Sequence, residues 1–206
     1  MNQREIYNTK CYSYADEKGN EKIQQAVKTI LTEIGENVNR EGLKRTPERF
    51  ARACSEWFGG YSITPEQVLN RNFPSEGYND MLLVKEIEFT SFCEHHIAPF
   101  SGYVHIAVIA GKTITGLDKF VKLVDIYARR LQTQEVMTRQ IGEAIKKVLH
   151  PKGIMIMVEA KHMCVGSRET KNKSVNFITT YRDGRFKIDS GLESRFLSYI
   201  NKKTEW

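Results

Sequence analysis

Two short runs concentrate the residues able to bind a metal or move a proton: Cys93-Glu94-His95-His96 and His162-Met163-Cys164, some seventy residues apart. They contain three of the five histidines and two of the four cysteines. Cys93 and His96 stand three apart, the spacing of a tight turn that points both side chains at one ion. His162 and Cys164, two apart on a strand, share a face. Thiolate and imidazole together favour zinc over magnesium or calcium. Two arrangements of these residues are open. If His162 or His95 joins Cys93, His96 and Cys164, the shell is closed and the ion is structural. If only Cys93, His96 and Cys164 bind, one position is left for a water whose pKa falls to about 7. Two imidazoles beside it can then move protons at physiological pH. The second arrangement suits hydrolysis of a C–N bond.

Gln134-Glu135 stands where a helix should begin. A carboxylate there complements the helix dipole. It can equally accept the adjacent N1–H and 2-amino donors of guanine, with the neighbouring amide assisting at the purine edge. Lys119, Lys122, Arg129, Arg130, Arg168 and Lys171 read as a solvated basic face, with Lys119 and Arg168 close in sequence to other site residues.

The elements that must carry these residues follow from periodicity. Ile23, Ala26, Val27, Ile30, Leu31 and Ile34 predict an amphipathic helix over Glu21 to Asn37. Thr46-Pro47-Glu48 predicts a second helix start, with the Thr46 hydroxyl as a cap and the helix running to Gly59-Gly60. Phe50, Cys54, Trp57 and Phe58 form its apolar face. A polar loop through Asn79 follows. Leu82 to Thr90 and Tyr103 to Ile109 alternate as strands, with the first cluster between them. Lys119 to Leu149 returns to a helical period, broken at Gln132 to Glu135, with Thr133 as a possible cap. Ile154 to Ala160 and Ser174 to Tyr181 are two more strands, Asp183-Gly184 is a hairpin-turn signal, and Leu192 to Ile200 is a last helix. The pattern is α+β. We expect a flexible stretch over 1–20, an N-terminal helical portion over 21–80 and a catalytic portion over 81–206.

Composition bounds the rest. With 206 residues, 40% hydrophobic and 10% aromatic, the chain can fill a core, so disorder and coiled coil are poor readings. No run reads as a signal sequence or a membrane span, so the expected compartment is the cytoplasm and the cysteines are expected as thiols or ligands. Lys161 to Trp206 carries +5 of the formal net charge of +6. That suggests an anionic partner, but neither a recognition helix nor interleaved basic and aromatic residues point to nucleic acid.

Taken together, these segments resemble GTP cyclohydrolase I of the zinc-dependent type IA family. The resemblance is carried by Gly42-Leu43, Thr46-Pro47-Glu48-Arg49, Ser91-Phe92-Cys93-Glu94-His95-His96 with Pro99-Phe100, and Gly116-Leu117 with Lys119. Gln132, Gln134-Glu135, Gln140-Ile141, Glu159-Ala160, His162-Met163-Cys164 and Arg168 complete it, in one order over roughly residues 22 to 200. It implies a tunnelling fold, an antiparallel sheet with helices on one face, assembled by sheet edges into a decameric ring with active sites between subunits. It also implies opening of the imidazole ring of GTP, loss of C8 as formate and closure to 7,8-dihydroneopterin triphosphate. By position, Cys93, His96 and Cys164 bind Zn2+, His95 and His162 transfer protons, and Glu135 with Gln134 anchors guanine. Lys119 and Arg168, with Arg49 and Arg52 of a neighbouring subunit, face the triphosphate. Three positions depart from the family pattern. Asp118 stands where a serine is usual, Lys122 where an arginine is usual, and Glu169 where a glycine is usual, so a carboxylate joins the phosphate subsite and the arginine fork is lost. Two other functions fit the same residues: a relative that takes another guanine nucleotide or stops at a ring-opened product, and a noncatalytic zinc-stabilised assembly or binding subunit.

Overall fold

The computed structural model describes residues 17–167 and 174–202. They fall into two compact units, Met1–Ile63 and Thr64–Trp206. In the first, α1 (Glu17–Glu33) packs against α2 (Thr46–Trp57), and a 3-10 turn covers Gly59–Ser62. The first helix starts and stops earlier than its apolar period suggests, because Gly35, at φ +87°, ends it while Glu36 N–H donates back to Leu31 O at 2.9 Å. Residues 17–20, in the stretch expected to be flexible, are helical; 1–16 lie outside the described residues. Thr46 is the first helical residue rather than the cap. Its hydroxyl donates to Gly42 O instead of accepting a helix amide. Cys54 is buried, as expected, while Phe50 and Trp57 are exposed and meet edge to face at 5.7 Å.

The second unit runs α3 (Pro65–Val68), β1 (Asn72–Pro74), β2 (Met81–Cys93), β3 (Pro99–Ile109), β4 (Thr113–Thr115), α4 (Leu117–Ala128) and β5 (Leu131–Gln132). It continues through α5 (Gln134–Leu149), β6 (Gly153–His162), α6 (Met163–Gly166), β7 (Phe177–Gly184), α7 (Arg185–Ile188) and α8 (Ser190–Asn201). Five strands form one sheet in the order β5-β2-β3-β6-β7, antiparallel except where β5 runs parallel to the end of β2. The α+β class is as the pattern implies. Both long strands of the β2–β3 hairpin extend to the first chemical cluster, further than their alternation indicated.

Pleat and register decide what covers each face. Ile154, Ile156 and Val158 lie buried on the face where α5 packs, and the close approach is set by Gly142, whose missing Cβ would meet the Tyr181 ring at 2.3 Å. Thr133 caps α5, accepting from Val136 N–H at 3.3 Å. The opposite face, through Met81, Ala107, Ile109, Met155 and Met157, is covered by Phe186, Leu192 and Phe196 of the C-terminal helices. Asp183-Gly184 is therefore not a hairpin turn. β7 runs to Gly184 and passes directly into α7, and Asp183 instead meets Lys146 at 2.9 Å and Lys187 at 3.0 Å.

Gly184 makes that junction, at φ 57°, ψ −130°, and a Cβ there would lie 2.3 Å from Lys152 O. Only glycine holds such backbone without strain. Gly184→Ala is expected to lower unfolding stability by about 2–3 kcal/mol in urea titration. A loss below about 0.5 kcal/mol would show that the junction rearranges freely.

Candidate active site

The first cluster sits on a hairpin loop held at three points. Cys93 ends β2 and Pro99 begins β3. Cys93 N–H donates to Ala98 O, and Ile97 N–H donates back to Cys93 O, both at 2.9 Å. Glu94 N–H donates to Gln132 O at 3.0 Å, which ties the loop to β5. Gln132 is itself buried and fixed, its amide donating to Tyr127 O and Gln140 Oε1. The closure forces Ile97, a β-branched residue 58% exposed, into the left-handed region at φ 52°. Such strain persists only where the surroundings over-determine it, and here it sits beside the candidate ligands.

The loop brings His96 Nδ1 to 3.9 Å from Cys93 Sγ. Cys164 arrives from the far side of β3, because Phe100 pairs with His162 in the β3–β6 register and α6 begins at the next residue. One donor atom each from Cys93, His96 and Cys164 lies within 4.8 Å of the others. Cys93 is buried, Cys164 half-buried and His96 exposed, so the group opens outward. His95 lies beside it on the exposed loop, its ring 6.3 Å from that of His96 and its Nε2 4.0 Å from Glu94 Oε1.

His162 is not in this group. Its ring stacks on Phe100 at 4.5 Å and 9°, and meets the edge of Phe177 at 5.0 Å. Its Nε2 lies 2.8 Å from Gln134 Oε1. Burial pushes its pKa below the ordinary value, with the Glu135 carboxylate working in the opposite direction, which also places Glu135 within electrostatic reach. Gln134 is only 2% exposed. Its two amide hydrogens are taken by Val158 O at 2.9 Å and Phe177 O at 3.0 Å, with Thr179 Oγ1 sharing one of them at 3.2 Å, so no amide hydrogen is left for a purine edge. Glu135, exposed in the first turn of α5, is the member of the pair that a ligand reaches.

The basic residues are carried by other elements. Asp118, Lys119 and Lys122 share the start of α4, where the Asp118 carboxylate takes Lys122 at 2.9 Å and approaches Lys119 at 3.9 Å. The hydrogen bond from Lys122 holds the Asp118 carboxyl below its usual range. Arg49 and Arg52 are exposed on α2 in the first unit, with Arg52 paired to Glu48 at 3.2 Å. Arg168 lies outside the described residues.

Phe100 and Phe177, the two rings that hold His162, were not singled out as site residues by sequence. Pro99-Phe100 next to the first cluster was the available signal; Phe177 carried none.

Comparison with known proteins adds an independent line. A family model described as GTP cyclohydrolase I matches residues 23–201. Relatives named GTP cyclohydrolase 1 from Brucella suis (strain ATCC 23445 / NCTC 10510) and Brucella abortus (strain S19) are each 45% identical over 183 residues, 88% of this chain and 86% of theirs. The one from Brucella canis is 44% identical over the same shares. A solved structure, the apo form of the archaeosine synthase QueF-Like, aligns at a TM-score of 0.43 and 18% identity over 50% of this chain and 93% of that one. That likeness is too slight to argue from, and the fold rests on the register and packing above.

Proposed function

The chain belongs to the GTP cyclohydrolase I family, and from that membership we propose that it hydrolyses the imidazole ring of GTP, releasing C8 as formate and forming 7,8-dihydroneopterin triphosphate. The observation that carries the reading is the convergence of Cys93, His96 and Cys164 within 4.8 Å, with His95 on the same loop and Glu135 close to His162.

The three donors fit zinc. Ligand atoms around tetrahedral zinc with two thiolates and an imidazole lie about 3.6–3.8 Å apart. The Cys93 Sγ to His96 Nδ1 distance of 3.9 Å is close to this. Zinc bound by three protein ligands supplies Lewis-acid activation of a water at neutral pH. The protein's own groups do the rest. His95 and His162 take and return protons during ring opening, and Glu135 accepts from N1–H and the 2-amino group of guanine. Phe100 and Phe177 keep the His162 ring in one plane and shield it from water.

Lys119, Lys122 and Arg168 are assigned to the triphosphate, with Arg49 and Arg52 supplied by another copy. Lys119 is in the first turn of α4, about 14 Å of helix axis from Ala128, just ahead of the strand that pairs with Cys93. By family resemblance, the sites are completed between copies in a homo-oligomeric ring, a decamer. No helix among the described residues is long and apolar enough to cross a membrane. We place the activity in the cytoplasm, where its nucleotide substrate is.

The test is to incubate zinc-loaded protein with GTP and assay formate together with the fluorescent pterin that forms on oxidation. Both products are expected. Formate without pterin would shift the reading to a ring-opening relative, and neither product would overturn it. A second expectation concerns the departures at the phosphate end. Because Asp118 occupies Lys122 and repels phosphate, Asp118→Ser should lower KM for GTP by about three- to fivefold with little change in kcat, as expected for loss of a competing exposed ion pair. A rise in KM would show that Asp118 serves the substrate.

A further inference from the structure

Gln134 has polar contacts at both ends of its side chain, and together they determine more than its own position. Val158 O and Phe177 O are carbonyl acceptors, at 2.9 and 3.0 Å, so only the NH2 end of the amide can face them. The hydroxyls agree with that orientation. Thr138 Oγ1 spends its single hydrogen on Gln134 O at 2.7 Å. Thr179 must then be the donor in the 2.7 Å contact between the two threonines, which leaves a Thr179 lone pair to accept from Gln134 Nε2. Reversing the amide would set Oε1 against both carbonyl oxygens, so they fix its orientation, and the longer 3.2 Å contact to Thr179 shares one of the two amide hydrogens. Oε1 is thereby aimed at His162 Nε2, 2.8 Å away. An amide oxygen has only lone pairs to offer, so the imidazole must donate.

Resting on the functional reading above, we propose that Gln134 is a positioning residue. It holds His162 as the Nε2–H tautomer, so that Nδ1 is the ring atom that exchanges a proton with the bound nucleotide. The same bond keeps Nε2 from serving as a fourth metal ligand, in keeping with a site of three ligands. Turning the imidazole over would put a C–H against Oε1, and the parallel stack on Phe100 with the Phe177 edge beside it holds the ring in the plane that makes the bond. A glutamine that only tied α5 to β6 and β7 would need its NH2 end alone. The oxygen contact with His162 is what gives it a consequence for the chemistry. Controlling the tautomer of a proton-transfer histidine is worth about 100-fold or more in rate where the wrong tautomer cannot act.

Two measurements on the full, zinc-loaded protein decide the matter. Solid-state NMR of 15N-histidine-labelled protein, with the His162 signals assigned by their loss in His162→Gln, should show Nε2 protonated and Nδ1 bare without nucleotide. The reverse overturns the proposal whether or not the protein turns over GTP, so its failure is separable from failure of the functional reading. In kinetics, Gln134→Met should lower kcat for formate release by about 100-fold and leave KM for GTP within about threefold. A tenfold or larger rise in KM with kcat preserved would make Gln134 a guanine contact instead and sink the idea. Should Gln134→Met fail to fold, the NMR measurement on the parent protein still decides, since His162 found as the Nδ1–H tautomer overturns the proposal.

Discussion

Cys164→Ser should lose stoichiometric zinc and release formate from GTP at least about 10³-fold more slowly than the parent chain. The expectation follows from how few donors there are. Three side chains converge, one of them an exposed histidine, so removing one thiolate leaves Cys93 and His96 on a single loop. A serine hydroxyl does not ionise near neutral pH as a bound thiol does, and two protein ligands do not hold zinc against solvent. The cost in rate is that of losing the activated water, several kcal/mol in such sites. Cys164 is the cleaner choice of the two cysteines. It is half-buried in the short α6, whereas Cys93 is 4% exposed and also closes the β2–β3 loop through its backbone. Metal content by mass spectrometry and formate release measured on the same sample test the claim. Retention of one zinc per chain with formate release within tenfold of the parent would remove Cys164 from the ligand set.

His162→Gln is the second large effect. It is expected to lower kcat by about 10²- to 10⁴-fold while zinc content stays at that of the parent, the range in which a positioned acid–base group contributes. His162 is outside the three-donor group, so the metal should survive. Burial favours its neutral form, which puts the ring in the state able to accept a proton at neutral pH. His95 is far more exposed and has no comparable clamp, so His95→Gln should cost less. A kcat for His162→Gln within threefold of the parent would strip the residue of its assigned role.

The chemistry was legible in sequence wherever residue type and short spacing sufficed. Spacing brought Cys93, His96 and Cys164 into one candidate cluster with His95 and His162, and the family resemblance narrowed it to the three. The shared strand face expected of His162 and Cys164 is not formed, because β6 ends at His162 and Cys164 lies in α6. The long helices and strands were legible because apolar period reports which face is covered. What escaped had no period to read. α3 and β1 hide in a polar loop, and β5 is two residues long, yet β5 is what anchors Glu94. Asp183-Gly184 has the composition of a turn, and only the packing of α7 and α8 turns its glycine into a strand-to-helix junction. Gln134 next to an exposed glutamate looked like part of a ligand-facing pair. Its burial depends on Thr179, forty-five positions later, a distance over which sequence pattern carries no information.

The separation of the two clusters along the chain also has a consequence for biogenesis. Cys93 and Cys164 meet only because β3 lies between β2 and β6 in correct register. In an unfolded chain the same donors would have to close a loop of about seventy residues, at an entropic cost on the order of 4 kcal/mol. On the proposed reading, metal capture would follow the pairing of β2, β3 and β6, and the fraction of subunits carrying metal would count those that have finished folding.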